Sequence, residues 1–397
     1  MTRDGIAADT ASGDIATPAR RILEGVLGVP ATEGNAIDVL RNGVEIFPAM
    51  LDAIDQAEHT IDLLTFVYWA GDIGEQFGQH LSERARNGVR VRVLLDSWGA
   101  HTMDKAILGL MEDGGVQVHW FRPLHRLRPN EVNHRTHRKV MVTDEAVGFT
   151  GGVGIADEWD GDARNEREWR DTHFRIRGPA VDGLRAAFLD NWAETDWTLY
   201  EPGVDRFPEQ PQPGGSVVQC VRGAAETGWS DVATLFRTLL QLAQHRIRIT
   251  TAYFVPDEEM IDRLCRAVER GVEIEILLPG PHADKRFVQL AGEAEYGRLL
   301  DAGVRIWLYQ RSMLHAKIMT VDQQIANVGS ANLNARSGAL DEEINIVALD
   351  PEIAAVLDRH FDDDLEISIR IEPGQWQERS VVQRLAEQAV APVKKLF

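Results

Sequence analysis

From Asn35 onward the chain alternates stretches whose apolar residues return every three or four positions with short runs of β-branched, aromatic and leucine side chains. These are the periods of helices and strands. The spacing predicts a helix over Pro48 to Glu58, a strand over Thr60 to Tyr68, a helix over Ile73 to Asn87 and a strand over Val89 to Leu95. That order marks an α/β fold. Glu201 to Ser216 interrupts it, because Pro202, Pro208, Pro211 and Pro213, with Gly203, Gly214 and Gly215, suit neither a helix nor a central strand. The alternation then resumes with a helix over Asp231 to Gln244, a strand over Arg246 to Phe254, a helix over Glu258 to Arg270 and a strand over Val272 to Leu278.

The two halves also match residue by residue. Asn87-Gly-Val-Arg-Val-Arg-Val-Leu-Leu parallels Arg270-Gly-Val-Glu-Ile-Glu-Ile-Leu-Leu, and Gly114-Gly-Val-Gln-Val parallels Ala302-Gly-Val-Arg-Ile. A repeat this long implies two similar domains facing each other, not a solenoid of short units. The expected organisation is a disordered leader over 1–19, a first domain over 20–201, a linker over 202–216, a second domain over 217–372 and a C-terminal amphipathic helix over 373–397. In the last segment Val381, Val382, Leu385, Ala389, Val393 and Leu396 fall at helical spacing, with Lys394 and Lys395 at the end. That helix suits a membrane interface or a place against the second domain equally well.

Composition narrows the function. The chain has 397 residues, 44% apolar and 26% charged, which is ordinary for a folded protein. Acidic residues outnumber basic ones by 62 to 42, a net charge of −20 that disfavours nucleic acid as a partner. A local basic cleft can still accept one phosphate, since charges beyond about 10 Å are largely screened at cellular salt. Cys220 and Cys265 read as two isolated thiols. The N-terminus lacks the basic and then apolar regions of a signal peptide. The longest strongly apolar stretch, near Leu63 to Ala70, falls far short of the roughly 20 residues that cross a bilayer. A cytoplasmic protein touching membranes from the surface is expected.

The candidate chemistry lies in two copies of the spacing H-x-K-x4-D, at His137, Lys139 and Asp144 and at His315, Lys317 and Asp322, in equivalent places of the duplicated halves. The chain holds six lysines beside 36 arginines. Random placement then predicts only about 0.2 H-x-K pairs, so matched copies are not accidental. On a strand, side chains two apart share a face, which sends each His and Lys to one cleft and Val140 and Ile318 to the core.

With the Gly-Ser-x-Asn turn of Gly329, Ser330 and Asn332 after the second copy, the sequence resembles the phospholipase D superfamily. The likeness narrows to bacterial cardiolipin synthases through Gly151-Gly152, Trp169-Arg-Asp-Thr-His173, Gly178-Pro-Ala-Val, Tyr253-Phe-Val-Pro-Asp257, Met313-Leu-His315 and Asn332-Leu-Asn-Ala-Arg336, over about residues 35 to 370. The resemblance implies two tandem phospholipase D-type domains, each a mixed β-sheet flanked by helices, with one active site at their interface. It implies transfer of a phosphatidyl group through a phosphohistidine, with a phospholipid substrate such as phosphatidylglycerol and no cofactor or metal. A phosphodiester needs a nucleophile, a proton donor opposite and cations on the non-bridging oxygens. His137 is taken as nucleophile and His315 as acid and base; near-symmetry leaves the reverse open.

Each histidine needs a carboxylate to hold its tautomer, and Asp171 and Glu343, at similar distances after their motifs, are the candidates. Asp144 and Asp322 are expected to brace the motifs, and Ser330 and Asn332 to bind phosphate. The first half departs from the pattern, with Gly152 where Ser330 stands and Gly154 where Asn332 stands. Leu64 takes a place that is Glu in many cardiolipin synthases. His134 is expected to support the site, not to hold a metal. Gly151 to Gly154 lacks the order of a nucleotide-binding loop. Hydrolysis in place of transfer, a nuclease, and a membrane-associated pseudoenzyme remain the alternatives.

Overall fold

The computed structural model describes residues 15–123, 133–196, 198–223 and 231–377. In the first half, helices α1 (Ala16–Leu27), α2 (Asn42–Gln56), α3 (Asp72–Arg86), α4 (Lys105–Asp113) and α5 (Val181–Trp192) alternate with seven described strands. These are β1 (Thr32–Arg41), β2 (Thr60–Thr65), β3 (Arg90–Asp96), β4 (Gln117–Phe121), β5 (Val140–Thr143), β6 (Val147–Gly151) and β7 (Thr172–Arg177). The second half repeats the order with β8 (Ser216–Gly223), β9 (Arg246–Thr250), β10 (Phe254–Val255), β11 (Glu273–Pro279), β12 (Arg305–Tyr309), β13 (Ile318–Val321), β14 (Ile325–Gly329), β15 (Leu333–Asn334), β16 (Glu343–Leu349) and β17 (Ser368–Arg370). Its helices are α6 (Asp231–Leu242), α7 (Glu258–Glu269), α8 (Arg286–Ala302), α9 (Ala335–Ala339), α10 (Pro351–Leu365) and α11 (Pro373–Gln377).

The sheet runs β1-β7-β6-β5-β2-β3-β4 in the first half and β8-β16-β14-β13-β9-β11-β12-β17 in the second, so strand matches strand outward from the centre. Antiparallel pairing of β1 with β8 joins them into one sheet of 15 strands. The same order arises twice because the same apolar runs arise twice. β5 and β13 are buried on every residue, and the duplicated strands read as near-continuous apolar runs because both faces are covered.

Between the halves lies a shared core in which α5 and α10 pack against strands of both, with Val140, Phe174 and Phe188 from one side and Ile318, Ile344 and Leu357 from the other. Leu64 is fully buried in this layer, so it has no access to substrate. Outer helices cover the remaining faces. Helix starts follow local chemistry. Asp257 accepts from the Met260 amide at 2.7 Å to cap α7, and Asp350, ahead of Pro351, accepts from Glu352 and Ile353 to cap α10.

Three expectations change. The leader expected over 1–19 ends earlier, since α1 begins at Ala16 and buries Ile15, Ala19, Leu23 and Leu27 against α6 of the second half. An apolar stripe with a partner 200 residues downstream is invisible to local periodicity. The strands expected to run on to Tyr68 and Phe254 stop at Thr65 and Thr250. There the Thr65 and Thr251 hydroxyls donate to the carbonyls of Val67 and Tyr253 and turn the chain toward the site. The leader's residues 1–14 and the C-terminal helix from residue 378 lie outside the described residues. Among the described residues no helix is long and apolar enough to cross a membrane.

Candidate active site

His137 and His315 stand just ahead of β5 and β13, where the backbone pairs across the halves. Thr136 bridges Glu342 and Arg170 bridges Leu314. The His137 amide donates to Glu342 O at 2.8 Å and the His315 amide to Arg170 O at 2.7 Å. Each histidine is therefore fixed by the segment that carries the candidate carboxylate of the other half. The side chains make the same exchange: His137 Nδ1 lies 3.1 Å from both oxygens of Glu343, and His315 Nδ1 lies 2.9 Å from Asp171 Oδ2. A carboxylate on Nδ1 holds the proton there and leaves Nε2 as the reactive nitrogen.

Burial lowers His137 to about 4, and burial with Lys317 alongside lowers His315 to about 3. Both imidazoles are therefore neutral near pH 7. Burial would raise Glu343 and Asp171, but their hydrogen bonds and the site's positive charges hold both at about 2. Lys139 and Lys317, fully enclosed, are brought down by burial to about 8 and about 7. Lys139 Nζ donates to His137 O at 2.8 Å, and Lys317 Nζ lies 3.2 Å from His315 Nε2. Two buried lysines thus share one site with the two Nε2 atoms.

The two carboxylates are held by different means. Glu343 accepts from the hydroxyls of Ser330 and, at 2.6 Å, Ser337. Asp171 accepts from the indole Nε1 of Trp159 at 2.8 Å and from the Thr172 amide at 2.8 Å. The glycines of the first half follow from this. A Cβ on Gly152 would stand 2.3 Å from Asp171 Oδ1, and one on Gly154 would stand 2.6 Å from Val67 Cβ and 3.3 Å from the Trp159 ring. Asp171 fills the space that a Ser side chain would need at Gly152, and Val67, with the Trp159 ring behind it, the space an Asn would need at Gly154. Its ring also meets His315 edge-on at 5.1 Å, and Trp169 lies 5.4 Å from the same histidine. His137 has Phe66 at 5.2 Å and otherwise faces a cavity of about 400 Å³ lined by Phe66, Trp98, Tyr253, Phe287, Asn332 and Asp341.

Several expected roles shift. Ser330, expected to bind phosphate, is fully buried and its hydroxyl donates to Glu343. Asn332 does line the cavity, with its Oδ1 unpartnered among the described residues. Asp144 and Asp322, part of the two motifs and expected to brace them, sit at the far ends of β5 and β13. Asp144 accepts from the amides of Glu58, His59 and Thr60, and Asp322 from those of Gln244, His245 and Arg246, at 2.7–2.9 Å. Both have φ 50° in the hairpin turn, a conformation that Asp tolerates better than most residues. His134 Nδ1 lies 3.2 Å from Leu340 O, and no group of metal-ligating side chains occurs among the described residues. Sequence reasoning missed Trp159, Ser337 and Asp341. Asp341, raised by burial to about 7 although Arg336 Nε lies 2.8 Å away, carried no spacing signal.

A family described as cardiolipin synthase, phospholipase D-like domain, matches residues 50–160 and 236–365. Cardiolipin synthase 1 of Bacillus anthracis is 33% identical over 93% of this chain and 74% of its own length. The cardiolipin synthase of Geobacillus kaustophilus is 34% identical, over 90% and 72%. The major cardiolipin synthase of Bacillus subtilis is 33% identical, over 90% and 74%. Among solved structures, the phosphatidylserine synthase of Haemophilus influenzae superposes with a TM-score of 0.75 at 16% identity, covering 96% of this chain and all of that one, a likeness of fold.

Proposed function

Since the chain belongs to the cardiolipin synthase family of phospholipase D-like enzymes, we propose that it transfers a phosphatidyl group from one phosphatidylglycerol to a hydroxyl of another, at a membrane surface on the cytoplasmic side. The observation that carries this reading is the pair of His–carboxylate contacts crossing between the halves beside two buried lysines. His137 Nε2 attacks phosphorus while the bond to the leaving glycerol oxygen breaks, and that oxygen takes a proton from His315. The phosphatidyl group is then held on His137. His315, now neutral, takes the proton of the incoming hydroxyl, whose oxygen displaces His137 from phosphorus. Lys139 and Lys317 offset the charge on the non-bridging oxygens, and the anionic phosphate in turn favours the proton that His315 must carry. The assignment of His137 as nucleophile rests on its place at the open cavity, while Trp159, Trp169 and Tyr253 wall His315.

The test is incubation of the purified protein with phosphatidylglycerol in EDTA, with products identified by mass spectrometry. Cardiolipin and glycerol are expected. Phosphatidic acid in place of cardiolipin would replace transfer by hydrolysis. His137→Ala and His315→Ala should each abolish turnover, and a trapped adduct should map to His137. Half the activity surviving in either variant would sink the shared site.

A further inference from the structure

The cavity beside His137 opens between two large rings. Trp98 is 58% exposed and Phe287 is 47% exposed, and of the exposed large apolar side chains among the described residues these two line the cavity. They come from opposite halves, Trp98 from the turn after β3 and Phe287 from the first turn of α8. Neither turn is loose. Asp96 accepts from the amides of Trp98 and Gly99 at 2.8 and 3.0 Å and is itself held by Arg135, while the Val288 amide donates to Lys285 O at 3.0 Å. The backbone thus presents both half-exposed rings at the cavity, Trp98 with His101 beside it at 6.2 Å. Single exposed aromatics are ordinary, but two that flank one cavity form a patch.

Charge reinforces the pattern. A molecule of net charge −20 is repelled as a whole by an anionic surface. At the mouth, however, the exposed Lys285 and Arg286 stand beside Phe287, with Lys285 Nζ 5.1 Å over the Tyr253 ring and Arg286 reaching Glu293 at 3.2 Å. Glu293 pairs with Arg286 and the exposed Asp284 adjoins Lys285. Yet among the cavity-lining residues Arg135, Lys285 and Arg336 outnumber Asp341, and only charges within a Debye length of about 8 Å are felt there. Tryptophan favours the boundary between headgroups and acyl chains, and lysine the headgroups.

We propose that Trp98, Phe287 and Lys285 form a rim that docks on a bilayer of anionic phospholipid, with both rings at the headgroup–acyl boundary and the cavity mouth flat against the surface. The proposal rests on the phosphatidyl-transfer reading, to which it adds how the substrate arrives: the phosphodiester rises into the cavity while its acyl chains stay in the bilayer. No lipid has to leave the membrane.

Sedimentation of the full chain with vesicles of phosphatidylglycerol and phosphatidylcholine tests it without recourse to turnover. Wild type should bind these vesicles, and pure phosphatidylcholine vesicles more weakly. Trp98→Ala and Phe287→Ala should each lower the partition about 10-fold or more, the worth of burying one such side chain. Lys285→Gln should lower it about 5-fold on the anionic vesicles alone. Because the substituted residues are exposed, matching thermal unfolding curves will show that the variants fold. Brominated lipids should quench wild type more than Trp98→Phe. Absence of vesicle binding by wild type, or equal binding by the Trp98→Ala/Phe287→Ala double variant, overturns the rim. If instead binding follows the rim but no phospholipid is turned over, the rim stands and the transfer reading falls.

Discussion

The two motif histidines meet in one site, yet neither is placed by its own half. If each carboxylate sets a tautomer, Glu343→Gln and Asp171→Asn should leave the fold intact and lower kcat by about 10³- to 10⁴-fold, as with a histidine held in the wrong tautomer. Steady-state rates with circular dichroism will check this, and a loss under tenfold contradicts it. Gly154→Asn should not restore a missing phosphate contact. Its Cβ would overlap Val67, so a stability loss of about 1–3 kcal/mol and a lower rate are expected, and a faster enzyme would refute the packing argument. The histidines, the lysines and both carboxylates were legible because the same types recur at the same spacing in each half. Trp159, Ser337 and the turning of Ser330 toward Glu343 were not. At the motif spacing Trp159 stands where the second half has Ser337, a different residue type donating to the equivalent carboxylate, and a hydroxyl's direction is set by the burial of its partner, which no spacing reports.

At the scale of elements, the last letter of each motif belongs to a turn. Asp144→Ala should leave three backbone amides without an acceptor and destabilise by on the order of 2–4 kcal/mol, with Asp144→Asn milder because its carbonyl still accepts and left-handed backbone still suits it. Thermal unfolding reads both, and equal midpoints for Asp144→Ala and wild type would remove the brace. Helix α1 offers a parallel case. Leu23→Ala should cost about 2–5 kcal/mol, because Leu23 is buried against the second half. Helix and strand identities in both halves were readable from period and punctuation. Strand ends were not, because Thr65 and Thr251 stop β2 and β9 through hydroxyl contacts that apolar runs do not reveal.

The whole molecule sums these buried charges. His137, His173, His315 and His360 are all lowered by burial, to about 4, 4, 3 and 3, so the unfolded chain binds more protons than the folded one as pH falls below about 6.5. Asp341, raised by burial to about 7, and Asp96 and Glu342, also raised by burial, act in the opposite sense. The four histidines outnumber these three carboxyls. Stability should therefore fall on acidification from pH 7 to 5, and a melting temperature unchanged across that range would count against the buried neutral histidines. That two domains share one sheet and one core was not legible, because the β1–β8 pairing joins strands with no sequence signal for each other. The exchange of carboxylates between halves has a consequence for synthesis. Glu343 follows His137 by 206 residues, and Asp171 precedes His315 by 144. A chain still growing on the ribosome presents the first histidine with neither Glu343 nor His315. Under the proposed transfer mechanism translation order then serves as an interlock, leaving a polypeptide emerging near a membrane inert toward phosphodiesters until its second half has folded onto the first.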